Sequence, residues 1–235
     1  MMPPILGALR RLRRAELFID GAQVDVPYYP VARPHSDYTK SFRSFFDAVH
    51  LNGVRRSPRV VEFTSSVPGE GKTTVAMSFA VWAAHSDART LLIDADIRRR
   101  SLSRTFDAKN QKGLVDLLLG EIPAQDVIRL DPKGKFHFLP SGKYTAESAD
   151  LLASESMRDL LNLCRLDFDY VLIDTPPVTL LADAVGISQM TDMVLLVVKS
   201  GATKRIVVER VAAELGSRNA QVGLVSNQTK AFWLF

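Results

Sequence analysis

The chain has 235 residues, 46% of them hydrophobic and 24% charged, with a formal net charge of +4 and a single cysteine. That content fills a full core, and the length suits one α/β domain. One cysteine excludes an internal disulfide framework, no apolar run approaches the roughly 20 residues that span a bilayer, and repeats and low-complexity tracts are absent. Residues 1–36 carry Pro27, Pro30 and Pro34, show no helical pattern, and read as a basic extension ahead of a domain over 37–235. Arg10, Arg11, Arg13 and Arg14 in it suit anionic headgroups or a membrane partner as well as a solvated face. Prolines break the first residues, so no signal-peptide core is expected there. The expected location is the cytoplasm, with any peripheral attachment at the inner membrane made through a partner. Residues 37–49 read as a helix with Phe42, Phe45, Phe46 and Val49 on one face.

The next elements carry the chemistry. An apolar strand at 60–64 runs into a loop containing Pro68, Gly69, Glu70, Gly71, Lys72, Thr73 and Thr74, and a helix follows over 72–85. Loop amides and the positive end of a helix face a polyphosphate. Lys72 reaches its outer phosphates and the Thr73 hydroxyl holds Mg²⁺. Ser66 stands where the usual pattern opens with glycine. A second strand, 90–93, delivers Asp94 and Asp96, whose spacing puts both side chains on one face. A basic run of Arg98, Arg99, Arg100 and Arg104 follows. No aromatic residues interleave those arginines, so nucleic-acid binding is not expected.

Further along, strands are predicted at 135–139, 170–173, 193–198 and 222–225, and helices at 114–119, 146–165, 182–190 and 204–216. The strand at 170–173 ends in Asp174, and Pro176 and Pro177 then force the chain out of the sheet. Cys164 falls in an apolar helical stretch and reads as packing, and the four histidines have no metal-binding spacing. Short apolar strands alternating with helices imply an α/β fold, a mostly parallel sheet with helices on both faces. The three strand tips offer a lysine, a hydroxyl and three carboxylates, which suits ATP with Mg²⁺.

These motifs resemble those of the bacterial tyrosine kinases of capsule and exopolysaccharide export, P-loop NTPases related to the MinD/ParA ATPases. Residues 64–74 resemble the family's Walker A motif, 91–98 its Walker A′ and 171–177 its Walker B. Residues 113–121, 138–142, 150–152 and 182–184 also match. The resemblance implies transfer of phosphate from Mg-ATP to a protein tyrosine. Asp94 would be the base for the incoming hydroxyl, with Lys72 and Asp96 also catalytic, and Thr73, Asp96 and Asp174 would hold the metal. It implies a tyrosine-containing protein substrate and a membrane polysaccharide co-polymerase as activating partner, and it allows a homo-oligomer. Two departures stand out. No tyrosine follows Tyr170, so Tyr28 and Tyr29 become the first acceptor candidates. The family's Glu-x-x-Arg-x-x-Arg contact helix reads Lys40, Arg43 and Phe46 here. An ATPase switch of MinD/ParA type, or a nucleotide-holding scaffold, stays open on the same residues.

Overall fold

The computed structural model describes residues 3–10, 18–19, 22–23, 25–51, 59–178, 186–217 and 221–229. The arginines at 11, 13 and 14, the motif at 182–184 and the apolar end Phe232 to Phe235 lie outside the described residues. Its strands are β1 (Ile5–Arg10), β2 (Phe18–Ile19), β3 (Ala22–Gln23), β4 (Val60–Ser65), β5 (Thr90–Asp94), β6 (Arg129–Leu130), β7 (His137–Leu139), β8 (Tyr170–Asp174), β9 (Met193–Lys199) and β10 (Val222–Thr229). Its α-helices are α1 (Tyr29–Ala32), α2 (Asp37–Leu51), α3 (Lys72–His85), α4 (Ser101–Thr105), α5 (Leu114–Leu118), α6 (Ser148–Leu152), α7 (Glu155–Asp167) and α8 (Arg205–Gly216). The main sheet runs β1-β10-β9-β4-β8-β5-β7-β6, parallel throughout except for the β6–β7 pair.

Both faces of this sheet are covered, which is why β4, β5 and β8 are buried at every position. Val61, Phe63, Leu92 and Leu172 point to the side of α2 and α3. Val60, Leu91, Ile93 and Ile173 point to the side of α5 and α7. The helix α3 is apolar nearly all round because it is covered twice, by the sheet beneath and by α1, α2 and the 3-10 turn Val26–Tyr28 above. Between these layers lie the rings of Phe42, Phe45, Phe46, Phe63, Phe79 and Tyr170, with Phe46 and Phe79 centroids 4.8 Å apart. Phe45 and Phe46 therefore pack on their own domain.

Several expectations need correction. Ile5–Arg10, read as part of a separate extension, is an edge strand paired in parallel with β10, and Leu9 is fully buried. A five-residue apolar run followed by Arg10, behind two prolines, gives no periodic signal; only the free edge of β10 makes it a strand. Tyr28 and Tyr29 are buried against α3. The Tyr28 hydroxyl donates to Asp131 Oδ2 at 3.3 Å, and burial with the Asp131 charge pushes its pKa far above the ordinary range. The helix expected over 146–165 breaks at Ala153, where the Ser154 hydroxyl caps α7 by accepting from Met157 N–H.

One buried group works against stability. Glu62, in the middle of β4, is fully buried; Oε1 accepts from the Thr175 hydroxyl at 2.9 Å, and Oε2 has no partner among the described residues. Burial pushes its carboxyl from 4.5 up to about 8, against the pull of Thr175. The folded protein keeps a proton that the unfolded chain releases. Stability is therefore greatest below the unfolded value and is lost as pH rises from 4.5 towards about 8. Glu62→Gln should raise stability at pH 8 by about 1–3 kcal/mol and flatten that loss. Urea unfolding of both proteins at pH 5 and pH 8 checks it.

Candidate functional site

The parallel register sets the site. Asp94 and Asp174 are paired residues at the tips of β5 and β8, and Phe63, two residues before the end of β4, is paired with Asp174. The backbone between Ala95 and Asp174 adds a 2.9 Å hydrogen bond. Beyond β4 the chain turns through Gly69 and Gly71, at φ of 85° and 90°, into the first residue of α3. A side chain at Gly71 would need that left-handed backbone, and its Cβ would lie 2.3 Å from Asn227 Nδ2.

Four of the expected residues come together. Lys72 Nζ lies 3.1 Å from Asp174 Oδ1, 3.3 Å from Asp96 Oδ2 and 3.2 Å from Thr73 Oγ1. The Thr73 hydroxyl donates to Asp174 Oδ2 at 2.8 Å. Burial opposes the Lys72 charge, but Asp174 and Asp96 outweigh it and hold its pKa above the ordinary value. Asp94 lies just behind. Its Oδ2 accepts from Ser103 N–H at 2.8 Å and the Ser103 hydroxyl at 2.7 Å, and its Oδ1 accepts from Asp96 N–H at 3.2 Å. Burial first, then the Asp174 charge, pushes Asp94 up to about 7. Burial also moves Asp174 up, despite Lys72 and Thr73.

Two carboxylates, Asp96 and Asp174, face one ammonium, so the site carries more negative charge than Lys72 can balance. That excess fits a divalent cation. Among the described residues no cluster of three or more histidine, cysteine, aspartate or glutamate side chains is arranged as a metal cage. Two carboxylates and a hydroxyl nevertheless suit Mg²⁺, which keeps several waters and shares its shell with phosphates.

The remaining loop residues divide. Pro68 and Gly69 are exposed at the tip, whereas Glu70 is buried. Glu70 Oε2 accepts from Val67 N–H at 2.9 Å, Oε1 accepts from Lys199 N–H at 3.0 Å and from the Thr203 hydroxyl, and its carbonyl accepts from Asn227 Nδ2 at 2.9 Å. Glu70 thus ties the loop to the ends of β9 and β10 rather than facing a ligand. Asn227, Thr203 and Ser103 were not found from the sequence. Asn227 left one signal, a polar residue at the tip of an apolar strand, like Asp94 and Asp174; Ser103 left none. Arg98 and Arg99 are exposed. Beside Thr73 and Thr74 a pocket of about 500 Å³ opens, walled by Tyr28, Met77 and Phe106.

The AAA domain family matches residues 59–221. The chain is 34% identical over 203 residues to the succinoglycan biosynthesis transport protein ExoP of Rhizobium meliloti, a match covering 85% of this chain and 26% of that protein. It is 32% identical over 193 residues to the tyrosine-protein kinase CpsD of Streptococcus agalactiae, covering 80% of this chain and 83% of CpsD. It therefore spans about a quarter of one relative and most of the other. The kinase domain of Escherichia coli tyrosine kinase ETK has the same fold, with a TM-score of 0.88 over 99% of this chain and 94% of that one at 24% identity.

The Glu70 tether is open to test. Glu70→Ala leaves Val67, Lys199 and Thr203 without their carboxylate. Nucleotide affinity should fall about tenfold or more, at roughly 1.5–3 kcal/mol per charged hydrogen bond lost. Gly71→Ala should be worse, because strain and collision add. Titration with a fluorescent nucleotide analogue, with circular dichroism as the folding control, measures both.

Proposed function

Since the chain belongs to the AAA domain family and to its bacterial tyrosine-protein kinases, we infer that it transfers the γ-phosphoryl group of ATP to a protein tyrosine in the synthesis and export of a capsular or extracellular polysaccharide. The observation that supports this reading most is the contact set of Lys72, Thr73, Asp96 and Asp174 beside a glycine loop at the mouth of a helix. Phosphoryl transfer needs positioned groups and balanced charge, and little else from the protein.

Each residue then has a task. Amides from Gly69 to Thr74 cradle the phosphates. Lys72, held charged by its neighbours, meets the charge that develops on the phosphoryl oxygens. Thr73, Asp96 and Asp174 would hold Mg²⁺, which neutralises phosphate charge when bound. Asp94 is the candidate base: burial gives it a proton affinity suited to neutral pH. The aromatic wall of the pocket beside Thr73 suits an entering tyrosine ring. No helix among the described residues is long and apolar enough to cross a membrane. A separate membrane subunit is the proposed activating partner, and a site at the inner membrane would come through it.

The purified chain with Mg²⁺, γ-labelled ATP and a glutamate–tyrosine copolymer should make phosphotyrosine. Lys72→Met should lower the rate at least about 100-fold. Asp94→Asn should lower kcat by about 100-fold. Asp94 must be ionised to accept the proton, so the wild-type rate should fall as pH drops below about 7, and Asp94→Asn should lose that limb. Free phosphate without phosphotyrosine would replace the kinase with an ATPase switch.

A further inference from the structure

A kinase that modifies copies of itself needs a tyrosine that another molecule can grasp. The sequence holds five, Tyr28, Tyr29, Tyr38, Tyr144 and Tyr170, and all five lie in described segments. Four are 7% exposed or less, whereas Tyr144 is 54% exposed. The buried four are built into the fold. Tyr28 donates to Asp131, Tyr29 and Tyr38 meet edge to face, and the Tyr170 hydroxyl lies 2.9 Å from His50 Nδ1. Presenting any of these to an active site would pull apart the aromatic layer over α3.

Tyr144 differs in its backbone as well. It lies in the irregular loop between β7 and α6, at the carboxyl ends of the strands that carry Asp94 and Asp174. The loop is anchored before Tyr144. Pro140 and Ser141 carbonyls accept from Leu114 and Val115 N–H at 2.8 and 3.1 Å, and Ser141 N–H donates to Ser103 Oγ at 3.0 Å. It is anchored after Tyr144 by Ser148, buried at the start of α6. Lys143 leans away onto Glu121 at 2.6 Å. That seats the loop between the start of α5 and Ser103 of α4. Held at both ends and more than half exposed, Tyr144 is open to a second molecule.

We propose that Tyr144 is the phospho-acceptor of this chain and is modified by a second copy; this rests on the kinase reading above. The phenolic oxygen of Tyr144 forms a bond to the γ-phosphorus of ATP held by the other copy. The bond from that phosphorus to the β–γ bridging oxygen breaks, ADP leaves, and the phenolic proton passes to a carboxylate of the receiving site. The product adds negative charge beside Lys143, on the loop whose Ser141 holds Ser103 against Asp94.

The full chain is incubated with Mg²⁺ and ATP, with the glutamate–tyrosine copolymer present, and self-phosphorylation is mapped by peptide mass spectrometry. Phosphate should appear on the peptide containing Tyr144. Tyr144→Phe should lose at least about tenfold of the self-label while copolymer labelling is unchanged, since an exposed loop side chain adds nothing to the site. Self-labelling per molecule should rise about tenfold for a tenfold higher protein concentration, as a reaction between two molecules does. Labelled copolymer with Tyr144 unmodified, or self-label that survives in Tyr144→Phe, overturns the proposal and leaves the kinase reading intact. A self-labelling rate independent of concentration overturns transfer between copies. No phosphotyrosine on either acceptor overturns both readings.

Discussion

One buried ammonium held by two carboxylates is the constraint on which this site depends. Lys72 sits within 3.3 Å of Asp96 and Asp174, with Asp94 behind them. Burying one charge is costly unless it is paired, and a second carboxylate against one ammonium leaves negative charge unbalanced. The fold sustains the arrangement by bringing donors to the acids. The Thr73 hydroxyl serves Asp174, Ser103 serves Asp94, and Arg99 N–H serves Asp96. The residual negative charge suits a divalent cation beside the loop.

The loop that faces this cluster is held from behind. Glu70 spends its carboxylate on Val67, Lys199 and Thr203, and its carbonyl on Asn227. The shape of the phosphate loop is thus linked to the ends of β9 and β10. The strand β10 is in turn covered by β1, the first strand of the chain. The first strand of the basic extension is thus the outer edge of the sheet that fixes the loop. The same extension places Val26–Ala32 over α3, closing the apolar layer that buries Tyr28 and Tyr29.

The candidate site was largely legible in the sequence because its chemistry is local. A glycine loop between a strand and a helix, and acids at strand tips, are short patterns whose geometry follows from strand and helix periods. The strands β4, β5 and β8 and the helix α3 were visible as apolar runs with clear stops. The missed pieces are those whose reason is distant. Ser103 matters because a turn brings it under Asp94. Asn227 matters because parallel pairing carries the tip of β10 to the loop. The break at Ala153 could not be seen, since helical periodicity continues across it.

Residue order alone therefore determined the α/β alternation, the phosphate loop, and the lysine, threonine and aspartates that line it. It also supplied five tyrosines without ranking them by access. Tertiary structure decided that Ile5–Arg10 is part of the sheet, that Glu70 faces inward as a tether, and that Tyr28 and Tyr29 are core while Tyr144 is surface. The physical reason is that a motif is written in neighbouring residues, whereas burial and register are written in residues that meet only after the sheet has formed.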